Sequence, residues 1–74
     1  SDKEIGYWYK AKTEILPQKI KINKNKGYYV EVISKLTNIT VFKGKIEQIK
    51  NNQIYLPDGK YKIIYYDTNY NLLN

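Results

Sequence analysis

Cysteine, histidine, methionine and arginine are all absent from this chain of 74 residues, and glycine and proline are scarce at four and two. Without cysteine there is no disulfide, thiol nucleophile or thiolate ligand, and without histidine there is no imidazole base and no ordinary zinc site. Without arginine the planar fork that reads guanine or grips phosphate bidentately is missing. The only serines are Ser1 and Ser34. The glycines, at 6, 27, 44 and 59, form no phosphate-cradling loop. No apolar run approaches the roughly 18 residues of a membrane-spanning helix, and no charged-then-apolar leader opens the chain. A carboxylate pair among Glu31, Glu47, Asp58 and Asp67 is chemically available, but so small a domain has little room for a cleft beside its core. The expectation is a non-enzyme that needs no cofactor or metal.

What remains is aromatic and basic. Nine tyrosines, one tryptophan and thirteen lysines stand against seven carboxylates, a net charge of +6 that favours anionic partners. Lys, Ile, Tyr and Asn together supply more than half of the chain. All four have A/T-rich codons, so a low-GC bacterial or viral genome would give the same bias without selection for a basic surface. The chain reads as one small β domain over residues 1–74, beginning at Ser1 rather than Met, which is compatible with excision from a longer protein. A domain below roughly 80 residues leans on disulfides, metals or oligomerisation. The first two are excluded here, so homodimerisation would supplement the core.

Helical periodicity is poor, whereas alternation and β-branched or aromatic residues recur in short runs between Asn, Gly and Pro clusters. The runs are Ile5–Thr13, Lys19–Asn23, Tyr28–Lys35, Ile39–Lys50, Gln53–Leu56 and Lys60–Asp67, with an ambiguous tail at Thr68–Asn74. If Asn23–Gly27 closes a hairpin, Ile22 faces Tyr28, Ile20 faces Val30 and Lys19 faces Glu31. If Leu36–Asn38 closes the next, Val32 faces Phe42, Val30 faces Gly44 and Tyr28 faces Ile46. One face of this meander is then Ile20, Ile22, Tyr28, Val30, Val32, Phe42 and Ile46. On the other face Glu31 lies between Lys19 and Lys43, a pattern that stabilises cross-strand neighbours by about 0.2–1 kcal/mol each.

After Ile46 the apolar phase changes, which predicts a bulge or bend near Glu47–Gln48. Asn51-Asn52 reads as a two-residue turn pairing Ile49 with Ile54, because Asn tolerates positive φ. Within Leu56-Pro57-Asp58-Gly59-Lys60, Pro57–Lys60 reads as a four-residue loop, with Gly59 left-handed, pairing Leu56 with Tyr61 and Ile54 with Ile63. Pairing of Ile5–Thr13 with the last long strand would hide two edges and close a barrel. The expected fold is all-β: a small SH3-like or OB-like barrel of five to six mostly antiparallel strands, or alternatively an open two-layer β-sandwich.

Aromatics interleave with lysines in three places: Trp8 with Lys10 and Lys12, Tyr29 with Lys19 and Lys21, and Tyr66 with Lys60 and Lys62. Bases stack on exposed rings for about 1–3 kcal/mol each while lysines neutralise phosphates, the usual means by which small β-barrels hold single strands. The same side chains suit a bland explanation, since tyrosine fits half-buried pleated surfaces and lysine guards strand edges. Tyr28, Tyr61 and Tyr65 sort to the core, and Trp8, Tyr29 and Tyr66 to an outer, lysine-bearing face.

Two short strings resemble known families. Trp8-Tyr9-Lys10-Ala11-Lys12 resembles a strand of Tudor-type barrels, without recognisable cage residues after it. Leu56-Pro57-Asp58-Gly59-Lys60-Tyr61-Lys62-Ile63 is similar to the final hairpin of bacterial surface modules of the Cna-B or carboxypeptidase-regulatory kind, and turn chemistry explains it equally well. The functional expectation rests on neither. It is a binding module for an anionic macromolecule, nucleic acid read with weak sequence specificity, through Trp8, Lys10, Lys12, Lys19, Lys21, Tyr29, Lys60, Lys62 and Tyr66. The alternative is a structural or protein-interaction domain of a bacterial or viral surface assembly, in which those aromatics bury against protein.

Overall fold

The computed structural model of the chain describes residues 17–73, and the expected first strand, Ile5–Thr13, lies outside them. Among the described residues six strands form: β1 (Gln18–Lys21), β2 (Tyr29–Ser34), β3 (Thr40–Lys45), β4 (Gln53–Leu56), β5 (Tyr61–Tyr66) and β6 (Leu72–Leu73). They make two antiparallel sheets, a pair β1-β4 and a four-stranded sheet in the order β3-β2-β5-β6. The protein is all-β, and the described residues form no closed barrel.

Strand β2 is hydrogen-bonded on both sides, to β3 and to β5. Its alternation therefore decides both faces. Val30 and Val32 point inward and are fully buried; Tyr29, Glu31 and Ile33 point outward and stay half-exposed. The inward pair meets Ile20 and Ile22 from the small sheet, with Ile46 and Tyr65 completing the core and Phe42, Ile49, Ile54, Leu56, Tyr61, Ile63 and Leu73 packed around it. Each fully buried valine contributes about 1.5–3 kcal/mol.

The expected β2–β3 hairpin forms in the expected register, with Val30 opposite Gly44, Glu31 opposite Lys43 and Val32 opposite Phe42, and the Ile46 amide donating to the Tyr28 carbonyl. The β1–β2 hairpin does not form. Strand β1 pairs with β4 instead, Ile20 opposite Ile54 and Lys19 opposite Tyr55. The reason is competition for one edge. Strand β5 offers β2 a ladder of six residues from Tyr29 to Ser34, longer than the four residues of β1, which finds an equally short partner in β4. Glu31 thus lies between Lys43 and Ile64, not between Lys43 and Lys19.

The Pro57–Lys60 segment is also a crossing between sheets, not a hairpin loop, so Leu56 faces Gln18 and not Tyr61. No described glycine has positive φ, Gly59 included; the Gly59 amide donates to Gln18 Oε1 and the Tyr61 hydroxyl to the Pro57 carbonyl. A bulge that was not expected lies in the β2–β3 ladder, where Val32 faces Phe42 but Ile33 faces Thr40, while the bend expected near Glu47–Gln48 does form. At Ile46–Gln48 the phase change is absorbed by a 3-10 turn, which brings both Ile46 and Ile49 to the core. Asn51 and Asn52 do take positive φ, 58° and 54°, but the turn feeds β4 toward β1 and leaves Ile49 without Ile54 as ladder partner. Tyr28, expected in the core, is half-buried with its ring edge-on to Tyr29.

The crossing from β1 to β2 is tied down at both ends. The Asn23 amide donates to the Tyr65 hydroxyl at 2.9 Å, and the Tyr28 amide to the Tyr66 carbonyl at 2.8 Å. Between them Gly27 lies against β5 so closely that a Cβ would stand 2.9 Å from the Tyr66 carbonyl oxygen and 3.0 Å from Tyr65 Cβ. Backbone cannot yield as a flexible side chain would. Gly27→Ala is therefore expected to destabilise the domain by about 1–3 kcal/mol, as overpacking does. Gly44→Ala, whose Cβ would meet only the Phe42 ring at 3.7 Å, should cost less. Urea denaturation of the two variants beside the parent measures the difference.

Candidate binding face

The outward face of the four-stranded sheet is built by parity. Tyr29 has Lys45 on one side and Tyr66 on the other; Glu31 has Lys43 and Ile64; Ile33 has Thr40 and Lys62. Aromatic, acidic and basic side chains thus form a compact group rather than a scatter. Tyr70, arriving from the loop after β5, stacks on Tyr29 with ring centroids 4.0 Å apart and planes 12° from parallel. Its ring also lies 6.0 Å from that of Tyr66. Lys43 Nζ hovers 5.5 Å from the Tyr70 centroid and 5.9 Å from that of Tyr66, and Lys45 Nζ 5.9 Å from that of Tyr28. Cation–π contacts at such exposed sites contribute about 0.5–1 kcal/mol each.

Glu31 fastens the group. Its carboxylate accepts from the Thr40 and Tyr66 hydroxyls, the latter at 2.7 Å, one from each neighbouring strand. These two hydrogen bonds, with the positive field of Lys43 and Lys62, hold its pKa below the usual carboxylate value despite slight desolvation. The same bond raises the Tyr66 phenol, because ionising it would lose a donor beside a negative charge. Among the described strand residues of this face Glu31 is the one carboxylate; it stays ionised, and Lys43, Lys45 and Lys62 outnumber it.

Asp67 holds Tyr70 in place. Its Oδ1 accepts from the Asn69 and Asn71 amides, both at 2.8 Å, and its Oδ2 from Asn71 Nδ2 at 3.0 Å. The backbone closes the same loop, Asp67 N–H to the Asn71 carbonyl and Tyr70 N–H to the Asp67 carbonyl, with Tyr70 at φ 62°. Bonds from Asn71 and Asn69 to the carboxylate lower the Asp67 pKa.

Of the residues expected at the site, Tyr29, Tyr66 and Lys62 meet on this face. Lys60 stands in the turn just before β5, where its carbonyl accepts from the Lys35 amide. Lys19 and Lys21 do not join Tyr29; they lie on the small sheet, opposite Tyr55 and Gln53 and outward of Ile20 and Ile22. That separation follows from the lost β1–β2 pairing. Trp8, Lys10 and Lys12 lie outside the described residues. Tyr70, Lys45 and Lys43 were not expected at the site, Lys43 being read from the sequence only as a cross-strand partner of Glu31. Lys45 was legible as the residue two beyond Lys43, and Tyr70 only through the Asp67-Thr68-Asn69 turn signal that returns the chain to β5.

Both carboxylates titrate lower in the fold than unfolded, so their stabilisation is complete above the unfolded carboxylate range and is lost as pH falls through the folded values. Tyr66 behaves oppositely, its contribution present below the unfolded phenol pKa and lost as pH rises through the raised one. Asp67→Ala should accordingly weaken the near-ultraviolet circular dichroism of the Tyr29–Tyr70 stack already at neutral pH, whereas the parent loses it only on acidification. Glu31→Gln should bring the Tyr66 phenol back toward its ordinary value, read by tyrosinate absorbance in an alkaline titration; an unmoved titration would show that the carboxylate does not hold it.

Among the described residues no helix is long and apolar enough to cross a membrane. No family model, curated protein or solved structure matches the chain, so the two short string resemblances carry no family assignment.

Proposed function

We propose that this small β domain, of barrel or sandwich type, is a non-catalytic binding module that holds single-stranded nucleic acid with weak sequence specificity on the outer face of its larger sheet. The observation that supports this reading is the tyrosine group Tyr29, Tyr66 and Tyr70 with Lys43 and Lys45 beside it and Lys62 farther along the same face of β5. A base has a π-face whatever its identity, so stacking on Tyr70, which is half-exposed, tolerates sequence. Lysines add phosphate charge as point contacts, and the absent arginine removes the strongest means of reading base edges. Lys60, at the end of the same sheet, extends the basic track, and Trp8, Lys10 and Lys12 are further contacts in this reading. Lys19 and Lys21 stand on the other sheet and serve a different surface.

A second reading has one observation of its own. Leu72, opposite Tyr66 on the same face, is 64% exposed, and a protein partner or a second copy would bury it together with Tyr70. A dimer that protects Tyr70 and does not bind oligonucleotide would favour this reading.

Three lysines neutralising about three phosphates give an expected log–log salt slope near −2 for a single-stranded oligonucleotide, and each lysine-to-glutamine change should lower its magnitude by about 0.7. Tyr70→Ala should weaken binding by about 1–3 kcal/mol with the slope unchanged. Fluorescence anisotropy across a salt series measures both, and absence of binding at low salt would end the proposal.

A further inference from the structure

The hairpin between β2 and β3 carries three exposed aliphatic side chains in six positions: Leu36 at 92%, Ile39 at 62% and Val41 at 42% exposure. This loop is internally organised. The Ser34 amide donates to the Ile39 carbonyl at 3.0 Å, the Asn38 amide to the Ser34 carbonyl at 2.8 Å, and the Thr37 amide to Ser34 Oγ at 3.3 Å. Asn38 takes a left-handed φ of 61°, which Asn tolerates better than most residues. The fold therefore holds these apolar groups outward on a defined turn, and the bulge opposite Ile33 adds Val41 to them.

The cations around this tip are placed by the same backbone. Lys35 opens the loop, its amide bonded to the Lys60 carbonyl at 2.9 Å, and Lys62 stands beside Ile33 at the foot of the hairpin. All three lysines are exposed. The only carboxylate in the two loops, 35–39 and 57–60, is Asp58, and Glu31 below them is occupied by Thr40 and Tyr66. A protruding apolar tip with lysines set behind it matches the two zones of a bilayer surface, acyl chains beneath and anionic headgroups above.

We propose that the β2–β3 tip docks on anionic lipid membranes, inserting Leu36, Ile39 and Val41 at the interface while Lys35, Lys60 and Lys62 meet the headgroups. The charge complementarity of the lysine collar selects this occupant, and the convexity of a 92%-exposed leucine suits a soft surface better than a protein pocket. Lys60 and Lys62 also border the tyrosine face, but Leu36, Ile39, Val41 and Lys35 belong to the tip alone, so variants there test this proposal independently of the nucleic-acid reading.

Co-sedimentation with phosphatidylcholine vesicles carrying phosphatidylserine tests the proposal, against pure phosphatidylcholine as control. The intact chain should pellet with the anionic vesicles only. Leu36→Ser should weaken this by about tenfold, the order expected from one lost apolar insertion. Lys35→Gln should weaken it by about fivefold, as expected for one lysine near an anionic surface. Because both side chains are exposed, neither change should alter the denaturation curve. A Leu36→Trp reporter in a Trp8→Phe background should shift its emission to the blue on adding anionic vesicles. No binding, binding indifferent to Leu36, or a blue shift that depends on protein concentration without vesicles would each overturn the proposal, the last by showing that a second copy covers the tip.

Discussion

Everything described here hangs on β2 being paired on both edges. With its backbone groups satisfied by β3 and β5, the strand cannot slip or rotate, because a one-residue shift would exchange Val30 and Val32 for Tyr29, Glu31 and Ile33. The core and the candidate binding face are thus two sides of one constraint. The small sheet is secondary to it: β1 and β4 pair because β2 has no edge left to offer, and their isoleucines are held against the valines by the Asn23–Tyr65 hydrogen bond and by the close seat of Gly27 on β5.

That hierarchy explains what the residues reveal on their own and what they hide. The β2–β3 register is legible because a short turn fixes it and both faces agree, Val32 with Phe42 inside and Glu31 with Lys43 outside. Asn51 and Asn52 are legible as positive-φ positions from their own chemistry. What local pattern cannot show is which of two neighbours wins a shared edge. Strand β1 is adjacent to β2 in sequence and has the right alternation, yet β5 makes the longer ladder from across the chain. The pairing errors follow from that competition: Lys19 moves away from Glu31, Lys21 from Tyr29, and Leu56 from Tyr61. Barrel closure rests on the segment Ile5–Thr13, which the described residues do not include.

The candidate face was partly legible for the same reason. Tyr29, Tyr66 and Lys62 share parity on strands whose faces are set by their apolar alternation. Tyr70 reaches them through a loop in which one carboxylate, Asp67, gathers three donors, and no periodicity announces such a loop. The face is stiffened by two ionised acids, Glu31 beneath the tyrosines and Asp67 beside them, whose charge offsets part of that of the lysines. The basic residues left over are what a ligand would meet. Codon bias would explain the abundance of lysine in the chain, but it would not by itself set Lys43 and Lys45 beside the tyrosine rings.

The most direct measurement is residue-by-residue mapping by nuclear magnetic resonance, following amide shifts as a single-stranded oligonucleotide is added at low salt. The expected result is that perturbations gather at Tyr29, Lys43, Lys45, Lys62, Tyr66 and Tyr70, with Lys19, Lys21 and Tyr55 on the small sheet unmoved. Perturbations centred on the small sheet, or none at all, would contradict the assignment of the larger sheet's outer face as the binding surface.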